Sequence, residues 1–244
     1  MRKLILFDLD GTLTESRLPI TQESAELFKL LLGNYYVGVV SGCSIDQMKH
    51  QLSGVLSSDK LNKLYLFPST STCLYSYKKE WVCIYKDVFN KEYSDTIKQT
   101  LLEVCKDVII DKPYGEVIDD RGGQIAIALM GLNAPLELKT NFDADYKIRL
   151  PLKLILEEVL PECEITIGGT TTITVTKKGM DKTNCVPLIK EYIGIEKHDI
   201  LFIGDTIFKN GNDYPMKQIG LDCINVSNPD DTNIIIRGLL WNTK

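Results

Sequence analysis

The first apolar run of the chain is Leu4-Ile5-Leu6-Phe7, and it continues directly into Asp8-Leu9-Asp10-Gly11-Thr12. Four successive apolar residues are typical of a strand that is buried on both faces, as strands of parallel sheets are. Ligands of open parallel sheets bind beyond the carboxyl ends of the strands. We therefore predict that Asp8 and Asp10 leave the end of such a strand together and converge on one ligand.

The segments around this strand alternate between strands and helices. Further strands are predicted from short apolar runs, at Tyr36–Val40, Leu64–Phe67, Ile200–Ile203 and Cys223–Val226. Helices are predicted from apolar spacing and capping residues, at Thr21–Leu32, Ile45–Leu52, Asp181–Ile193 and Asp230–Leu240. Such alternation implies right-handed crossovers and a parallel sheet. The predicted fold class is α/β, with a Rossmann-like parallel-sheet core.

The middle of the chain has a different pattern. Thr-rich alternation at Thr171–Thr176, with strands predicted at Gln124–Met130 and Glu164–Ile167, is typical of antiparallel strands that have one solvated face. Helices are predicted at Lys91–Cys105 and Leu150–Val159. We therefore predict that residues 82–177 form an inserted α+β domain, and that residues 1–81 and 178–244 form the core.

Composition excludes several classes of function. The formal net charge is -5, so the chain lacks the basic surface expected of a nucleic-acid binder. No apolar run approaches the roughly 20 residues of a membrane helix, and the N-terminal run is too short for a signal peptide. Seven scattered cysteines without a CxxC pair, and two histidines, argue against a zinc site. We expect a cytoplasmic protein with reduced thiols and no membrane partner.

Other polar residues follow predicted strands or begin predicted helices. Ser41 and Gly42 come after a strand and before a helix start, where backbone amides suit a phosphate. Lys182 lies near a helix start, where a cation is unfavourable because it opposes the helix dipole. Binding of a phosphoryl oxygen would explain a lysine at this position. Asp205 follows another strand, and Asp213 comes shortly afterwards. Each residue also has an alternative structural role. Ser41 is explained equally well as a helix cap, Lys182 as a solvated surface lysine, and the two acids as turn residues.

Their joint placement favours one chemistry. Carboxylate oxygens suit a divalent hard cation, and neighbouring carboxylates can act as nucleophile and as acid/base. A hydroxyl and a lysine beside them can hold a phosphoryl group. The combination predicts phosphoryl transfer, in which positioning and charge neutralisation do most of the catalysis.

Four motifs carry a family resemblance: DLDGTLT at Asp8–Thr14, VVSG at Val39–Gly42, Lys182, and GDTIFKNGND at Gly204–Asp213. With them the chain resembles the haloacid dehalogenase (HAD) superfamily of phosphohydrolases. The resemblance implies Mg²⁺ as cofactor and a phosphoaspartate on Asp8. It implies that Asp10 is the general acid/base and gives a backbone carbonyl to the metal. It further implies that Ser41 and Lys182 hold the phosphoryl group, and that Asp205 and Asp213 complete the metal site.

The inserted segment resembles a C2 (type IIB) cap, and within that type the pattern is most similar to eukaryotic-type phosphomannomutases. The phrases behind this are Arg121-Gly122-Gly123, Ile167-Gly168-Gly169 and Gly179-Met180-Asp181-Lys182. Two departures stand out. The mutases carry Gly-Gly-Ser-Asp where this chain has Ser41-Gly42-Cys43-Ser44, and they carry an arginine where this chain has Leu132.

Two cationic residues of the insertion remain as candidates to bind the substrate. Arg121 is one, although a salt bridge with Asp119 or Asp120 is the alternative. Arg149 is the other. The substrate class expected from the resemblance is a small phosphorylated metabolite.

Three functions stay open at this point. The first is a sugar-phosphate phosphatase, which we prefer because of the departure at Leu132. The second is a phosphohexomutase that interconverts hexose 1- and 6-phosphates, for which the resemblance also implies a homodimer through the cap. The third is a non-catalytic binding protein that keeps an enzyme fold. Such a protein would be expected to have lost Asp8 or Asp10, and both are present.

Overall fold

The computed structural model describes residues 2–209 and 211–241, and of Leu136 the backbone alone. The chain divides into two compact units. The core unit runs up to Lys86 and resumes at Asp181, and the inserted unit is Asp87–Met180.

The first segment of the core unit begins with the predicted strand and helix. Its strands are β1 (Leu4–Asp8), β2 (Tyr36–Val40), β3 (Leu64–Phe67), β4 (Cys73–Tyr77) and β5 (Trp81–Lys86), and its helices are α1 (Gln22–Asn34) and α2 (Ile45–Gln51). Thr21 caps α1 by accepting a hydrogen bond from the Ser24 amide at 3.2 Å. Ser44 caps α2 in the same way, through the Gln47 amide. Thr21 is the first residue of the helix predicted at Thr21–Leu32, and Ser44 directly precedes the one predicted at Ile45–Leu52.

The inserted unit is an antiparallel sheet with helices. Its elements are α3 (Lys91–Cys105), β6 (Ile118–Asp120), β7 (Gln124–Ala128), α4 (Leu136–Phe142), α5 (Arg149–Val159), β8 (Cys163–Gly168) and β9 (Thr172–Lys177). The strand order is β6-β7-β9-β8. Helices α3 and α5 contribute Leu101 and Leu156 to a core that also contains Ile127, Ile173 and Val175 from the sheet. The helices therefore cover one face of this sheet.

The chain returns to the core unit through a mixed helical segment. A 3₁₀ turn (Lys182–Asn184) leads into α6 (Cys185–Leu188) and a π-helical turn (Ile189–Ile193). The helix predicted at Asp181–Ile193 is therefore helical from Lys182 onwards but not regular, and Asp181 is its cap. The remaining elements are β10 (Ile200–Gly204), α7 (Tyr214–Gln218), β11 (Asp222–Asn225) and α8 (Pro229–Trp241).

The core unit contains one seven-stranded sheet in the order β11-β10-β1-β2-β3-β4-β5. The first five strands in this order are parallel, and β4 and β5 are antiparallel additions at one edge. Strand β1 lies near the middle, and its residues Leu4–Phe7 are completely buried. This confirms the predicted α/β class and the buried strand that precedes Asp8.

The predicted domain boundaries differ from the observed ones. The boundary expected between residues 81 and 82 cuts through β5, which pairs with β4 from Tyr77–Trp81 to Cys73–Lys86. Backbone hydrogen bonding therefore keeps β5 in the core unit. The second boundary lies after Met180 and not after residue 177.

The lengths of the helices and the state of the cysteines bear on the cellular environment of the protein. No helix in the described ranges is long and apolar enough to cross a membrane. All seven cysteines are free thiols, and Cys83 is the exposed one among them.

Candidate active site

Three of the candidate residues leave the same edge of the parallel sheet. Asp8 ends β1 and is level with Val40, the last residue of β2, which Ser41 follows. Phe7 is level with Ile203 of β10, and that strand ends one residue later, just before Asp205. Parallel strands of matched register therefore bring Asp8, Ser41 and Asp205 to one edge, as the sequence predicted.

Lys182 links two of the acids in the interior. Its Nζ donates to Asp8 Oδ1 at 2.6 Å and to Asp213 Oδ1 at 2.7 Å. Lys182 and Asp8 are each 5% exposed, and Asp213 is 0% exposed. Charges this deeply buried persist only when they are paired. Lys182 is therefore an internal cation of the site and not a solvated surface lysine.

Burial and charge shift the pKa values of these groups. Burial raises the pKa of Asp8 to about 7, an effect that Lys182 opposes and Asp213 reinforces. Burial also raises the pKa of Asp205, again with a contribution from Asp213. For Lys182, burial lowers the pKa, but the carboxylates of Asp8 and Asp213 outweigh it and the net pKa is raised. The site has more carboxylates than cations to neutralise them.

That excess of carboxylates fits a metal ion. Asp8, Asp205 and Asp213 each offer a carboxylate oxygen, and these oxygens lie within 4.8 Å of one another. A set of oxygen donors is what a hard cation such as Mg²⁺ binds. The backbone leaves room for the acids: a Cβ at Gly11 (φ 77°) would lie 2.5 Å from Asp205 Oδ2, and one at Gly204 would lie 2.4 Å from Asp213 Oδ2.

Asp213 is held by a residue that sequence reasoning missed. Its Oδ2 accepts from the Thr206 amide at 3.2 Å and from Thr206 Oγ1 at 3.0 Å. With Lys182 on Oδ1, both oxygens have protein partners, and Oδ1 can still accept a further bond. The hydroxyl that directly follows Gly204-Asp205 was the available signal.

Asp10 has a different environment from the other acids. Its Oδ1 accepts from the Arg17 amide at 2.8 Å and from Gln51 Nε2 at 3.0 Å. Its carboxylate is not part of the acid cluster that the described residues form. This separation suits a proton-transfer role for the side chain, and any metal contact of Asp10 through its backbone carbonyl stays a prediction.

Ser41 and Gly42 are supported by an unusual turn after β3. Ser69, Thr70 and Ser71 all have left-handed φ values, of 51°, 57° and 65°. Each such residue costs about 1–2 kcal/mol, and backbone strain of this kind clusters at functional sites. The turn is tied to Ser41, whose carbonyl accepts from the Thr70 amide at 2.9 Å.

The same turn touches the lysine, because Ser71 Oγ donates to the backbone carbonyl of Lys182 at 3.3 Å. Ser41 Oγ itself accepts from the Cys43 amide at 3.2 Å and is buried. At Gly42 a Cβ would meet Thr70 Oγ1 at an ordinary 3.7 Å, so packing alone does not demand glycine there. The left-handed positions are occupied by serine and threonine and not by glycine or asparagine, so this turn could not be predicted from the sequence.

The two arginine candidates lie in the inserted unit. Arg121 donates from Nε and Nη2 to Asp119 Oδ2, at 2.9 and 2.5 Å. Asp120 instead accepts from Ser94 and pairs with Lys98. The salt bridge with Asp119 that was left open for Arg121 is therefore present.

The prediction that Arg149 binds the substrate is wrong. Its side chain is 2% exposed and its Nε donates to Asp143 Oδ2 at 2.6 Å. The guanidinium also donates to the carbonyls of Gly168, Gly169 and Asp143. These bonds join the start of α5 to the β8–β9 turn. The Arg149 guanidinium is therefore buried and hydrogen-bonded within the inserted unit, and it is not exposed to a phosphate.

The fold and the acid–lysine site define a HAD-type phosphotransferase core. Solved structures share the fold. A haloacid dehalogenase-like hydrolase from Bacteroides thetaiotaomicron has a TM-score of 0.68 at 14% identity, covering 98% of this chain and 100% of that one. The N-terminally truncated, IMP-bound IMP-nucleotidase of Plasmodium falciparum has a TM-score of 0.70 at 16% identity, covering 98% of this chain and 68% of that one.

Sequence comparison then gives the family. The family model described as eukaryotic phosphomannomutase matches residues 25–242. The phosphomannomutase of Schizosaccharomyces pombe is 31% identical, over 95% of this chain and 91% of that protein. Phosphomannomutase 1 of Dictyostelium discoideum is 30% identical, over 98% and 96%. The chain belongs to the eukaryotic phosphomannomutase family of the HAD superfamily, and it is an enzyme of the phosphoryl-transfer type.

Proposed function

We propose that this protein is a Mg²⁺-dependent phosphatase that hydrolyses a sugar phosphate through a phosphoaspartate on Asp8. One observation carries the proposal. Asp8 is a buried carboxylate that is paired with Lys182 and lies within one ligand cluster with Asp205 and Asp213.

The chemistry follows from the positions of these groups. Asp8 attacks phosphorus, the bond from phosphorus to the sugar oxygen breaks, and Asp10 gives its proton to that oxygen. Asp10 is then a carboxylate and takes a proton from the water that hydrolyses the phosphoaspartate. Lys182 and Ser41 hold the phosphoryl oxygens by charge and hydrogen bonding.

Mg²⁺ is the proposed cofactor, held by Asp8, Asp205 and Asp213 with the backbone carbonyl of Asp10. When bound it neutralises the charges of the nucleophile and of the phosphoryl group. Every side-chain donor in the set is a carboxylate oxygen, which is the chemistry that this cation prefers.

Added Mg²⁺ is therefore expected to stabilise the fold measurably. At about 100 times its Kd the stabilisation is about 2.7 kcal/mol, which raises Tm by roughly 5–10 °C for a chain of this size. Differential scanning fluorimetry would measure the shift in the wild type and in Asp205→Asn. Asp46→Asn, an exposed acid on α2, serves as the matched control and should keep the full shift. An undiminished shift in Asp205→Asn would contradict the assigned metal site.

One strand of the inserted unit carries a row of threonines. Thr172, Thr174 and Thr176 alternate along β9 with Ile173 and Val175, which pack on the helix side of the sheet. Successive side chains of a strand point to opposite faces. The face away from the helices therefore carries three threonines, of which Thr172 is partly exposed, whereas Thr174 and Thr176 are only 7% and 3% exposed.

Arg121 lies on this same face. Its partner Asp119 is opposite Ala126, and Ala126 is opposite Thr174. The Arg121–Asp119 pair thus stands at the β6 edge of the row of threonines. We propose that Arg121 contributes to binding the substrate there.

Hydrolysis is favoured over mutase action by what the inserted unit lacks. A mutase must hold the second phosphate of a sugar bisphosphate while the phosphoryl group returns. Leu132 replaces one arginine of the resembling mutases, and Arg149 is committed to Asp143. Loss of one charged hydrogen bond costs about 1.5–3 kcal/mol of such binding.

A phosphohexomutase is the second candidate, and family membership favours it. The relatives named phosphomannomutase match this chain over nearly its whole length. The nucleophile and the first chemical step would be the same, and the fate of the phosphoryl group would differ.

One assay separates the two. Mannose 1-phosphate and other hexose phosphates would be incubated with enzyme and Mg²⁺, with and without a hexose bisphosphate, and free phosphate and isomer would be measured in the same samples. We expect more free phosphate than isomer. If more isomer than free phosphate is formed, the protein is a mutase and the phosphatase proposal is wrong.

We also propose a homodimer through the inserted unit. Leu150 and Leu154 are one turn apart on α5 and are 50% and 55% exposed, so they form an apolar stripe along this helix. Sedimentation of the wild type should show a dimer that Leu154→Lys dissociates, and a monomeric wild type would contradict the proposal.

A cytoplasmic location is proposed from the seven free thiols, which suit a reducing compartment. Fractionation of cells that make the protein would test it, and recovery with membranes would contradict it.

A further inference from the structure

We infer that Gln51 is a positioning residue for Asp10, and that it fixes which oxygen of that carboxyl group exchanges the proton. The inference rests on the proposed function, because it concerns the acid/base step of phosphoryl transfer. No motif in the sequence pointed to Gln51. It follows from three contacts of one buried amide.

Gln51 is a fully enclosed polar side chain, with 0% exposure. Its Nε2 donates to Asp10 Oδ1 at 3.0 Å and to Thr14 Oγ1 at 2.8 Å. Its Oε1 accepts from Gln47 Nε2 at 3.2 Å. An ionised carboxylate only accepts hydrogen bonds, so the amide nitrogen must be the end that faces Asp10. Both amide hydrogens of Gln51 are thus used.

The backbone fixes this side chain in place. Gln51 is the last residue of α2, and its carbonyl accepts from the Ile20 amide at 2.7 Å. The other end of α2 is capped by Ser44, shortly after Ser41. One short helix therefore runs from the loop of Ser41 to the side chain of Asp10. The position of Asp10 is tied to that of the predicted phosphate site.

The hydrogen bonds make the two oxygens of Asp10 unequal. Oδ1 accepts two N–H groups, one from Gln51 and one from the Arg17 backbone. Because these two donors occupy Oδ1, Oδ2 is the oxygen that is left to face the leaving group. Because a glutamine amide stays neutral, the same bond serves before and after the proton is given up. Gln51 thereby holds Oδ2 in one orientation through both chemical steps.

Removing the amide should affect one kind of substrate more than another. Gln51→Met keeps the length of the side chain and removes both donors. An alkyl leaving group, such as a sugar oxygen, needs the proton of Asp10, whereas p-nitrophenolate leaves without one. Because kcat/KM reports only steps up to release of the alcohol, it isolates this difference from the later hydrolysis. We expect kcat/KM to fall about 10–100-fold for the sugar phosphate and less than about threefold for p-nitrophenyl phosphate.

Two further variants calibrate the experiment. Asp10→Asn should show the same selectivity at larger amplitude, since it removes the acid itself. Gln22→Met, the same substitution at an exposed position of α1, should change neither value by more than about threefold. Thermal unfolding of each variant would show that it folds.

The outcomes separate the inference from the proposed function. Equal losses on both substrates in Gln51→Met, or no loss on either, would overturn the positioning role while Asp10→Asn still shows the selectivity. If the wild type cleaves neither substrate, the proposed function fails and the inference fails with it.

Discussion

Asp8→Asn is expected to abolish turnover, with kcat lower by about 10⁴-fold or more, as removal of a catalytic nucleophile does in other enzymes. The amide that replaces the carboxylate is not a nucleophile, and the nearby carboxylate of Asp10 is hydrogen-bonded to Arg17 and Gln51. Asp205 and Asp213 belong to the same cluster, and in the proposed mechanism both are ligands of the metal. The loss should be the same for phosphate release and for isomer formation.

Steady-state kinetics on the best substrate of the hexose phosphate panel would measure this effect. Asp46→Asn is the matched control, since Asp46 lies on α2 with its side chain 92% exposed. Its kcat should equal that of the wild type. Substantial activity in Asp8→Asn, with a normal thermal unfolding curve, would show that the reaction does not pass through Asp8.

Asp143→Asn is expected to destabilise the inserted unit by about 3–5 kcal/mol, the cost of breaking a buried ion pair from one side. The variant leaves the Arg149 guanidinium buried opposite a neutral amide. Asp143 also accepts from the amides of Ile148 and Arg149, at 2.8 and 3.2 Å. One side chain therefore secures both the start of α5 and the arginine that reaches the β8–β9 turn.

The same pair predicts a dependence on pH. Burial raises the pKa of Asp143, but hydrogen bonds from Ile148 and Arg149 outweigh it, so the net pKa lies below the ordinary value of 3.8. A lowered folded-state pKa contributes stability above the ordinary pKa, and this stability is lost as pH falls through the folded value. The inserted unit of the wild type should weaken in this acidic range, and Asp143→Asn should lack that component.

Hydrogen exchange of amides in the inserted unit would measure both effects, because it resolves local stability in a chain of two units. The control is Asp145→Asn, an acid two positions away whose side chain is 57% exposed. Exchange in Asp143→Asn that matches Asp145→Asn would contradict the structural role of the Asp143–Arg149 pair.

The sequence was sufficient for the core of the site because local rules act there. A continuous apolar run predicts a buried strand, and residues that follow parallel strands must meet at one edge. Asp8, Ser41 and Asp205 were found in this way, each from its position after a strand. The α/β class followed from the same alternation.

Contacts over long sequence distances could not be predicted. The sequence does not distinguish an arginine that binds a substrate from one that pairs with a buried acid. Only the structure shows that Arg149 pairs with Asp143. Gln51 reaches Asp10 from another element, and an isolated glutamine at the end of a helix gives no signal. The boundary near residue 82 failed because strand propensity does not tell which sheet a strand joins.

The most direct test of the central claim is to find the phosphorylated residue. Enzyme would be mixed with a hexose phosphate and Mg²⁺, quenched in acid within milliseconds, and digested for mass spectrometry, with Asp8→Asn treated in parallel. We predict one added phosphoryl group on Asp8 of the wild type, and none in the variant. A phosphoryl group on another residue would contradict the phosphoaspartate mechanism. So would wild-type enzyme that has formed product but carries no phosphoryl group at any quench time, under conditions where the intermediate accumulates.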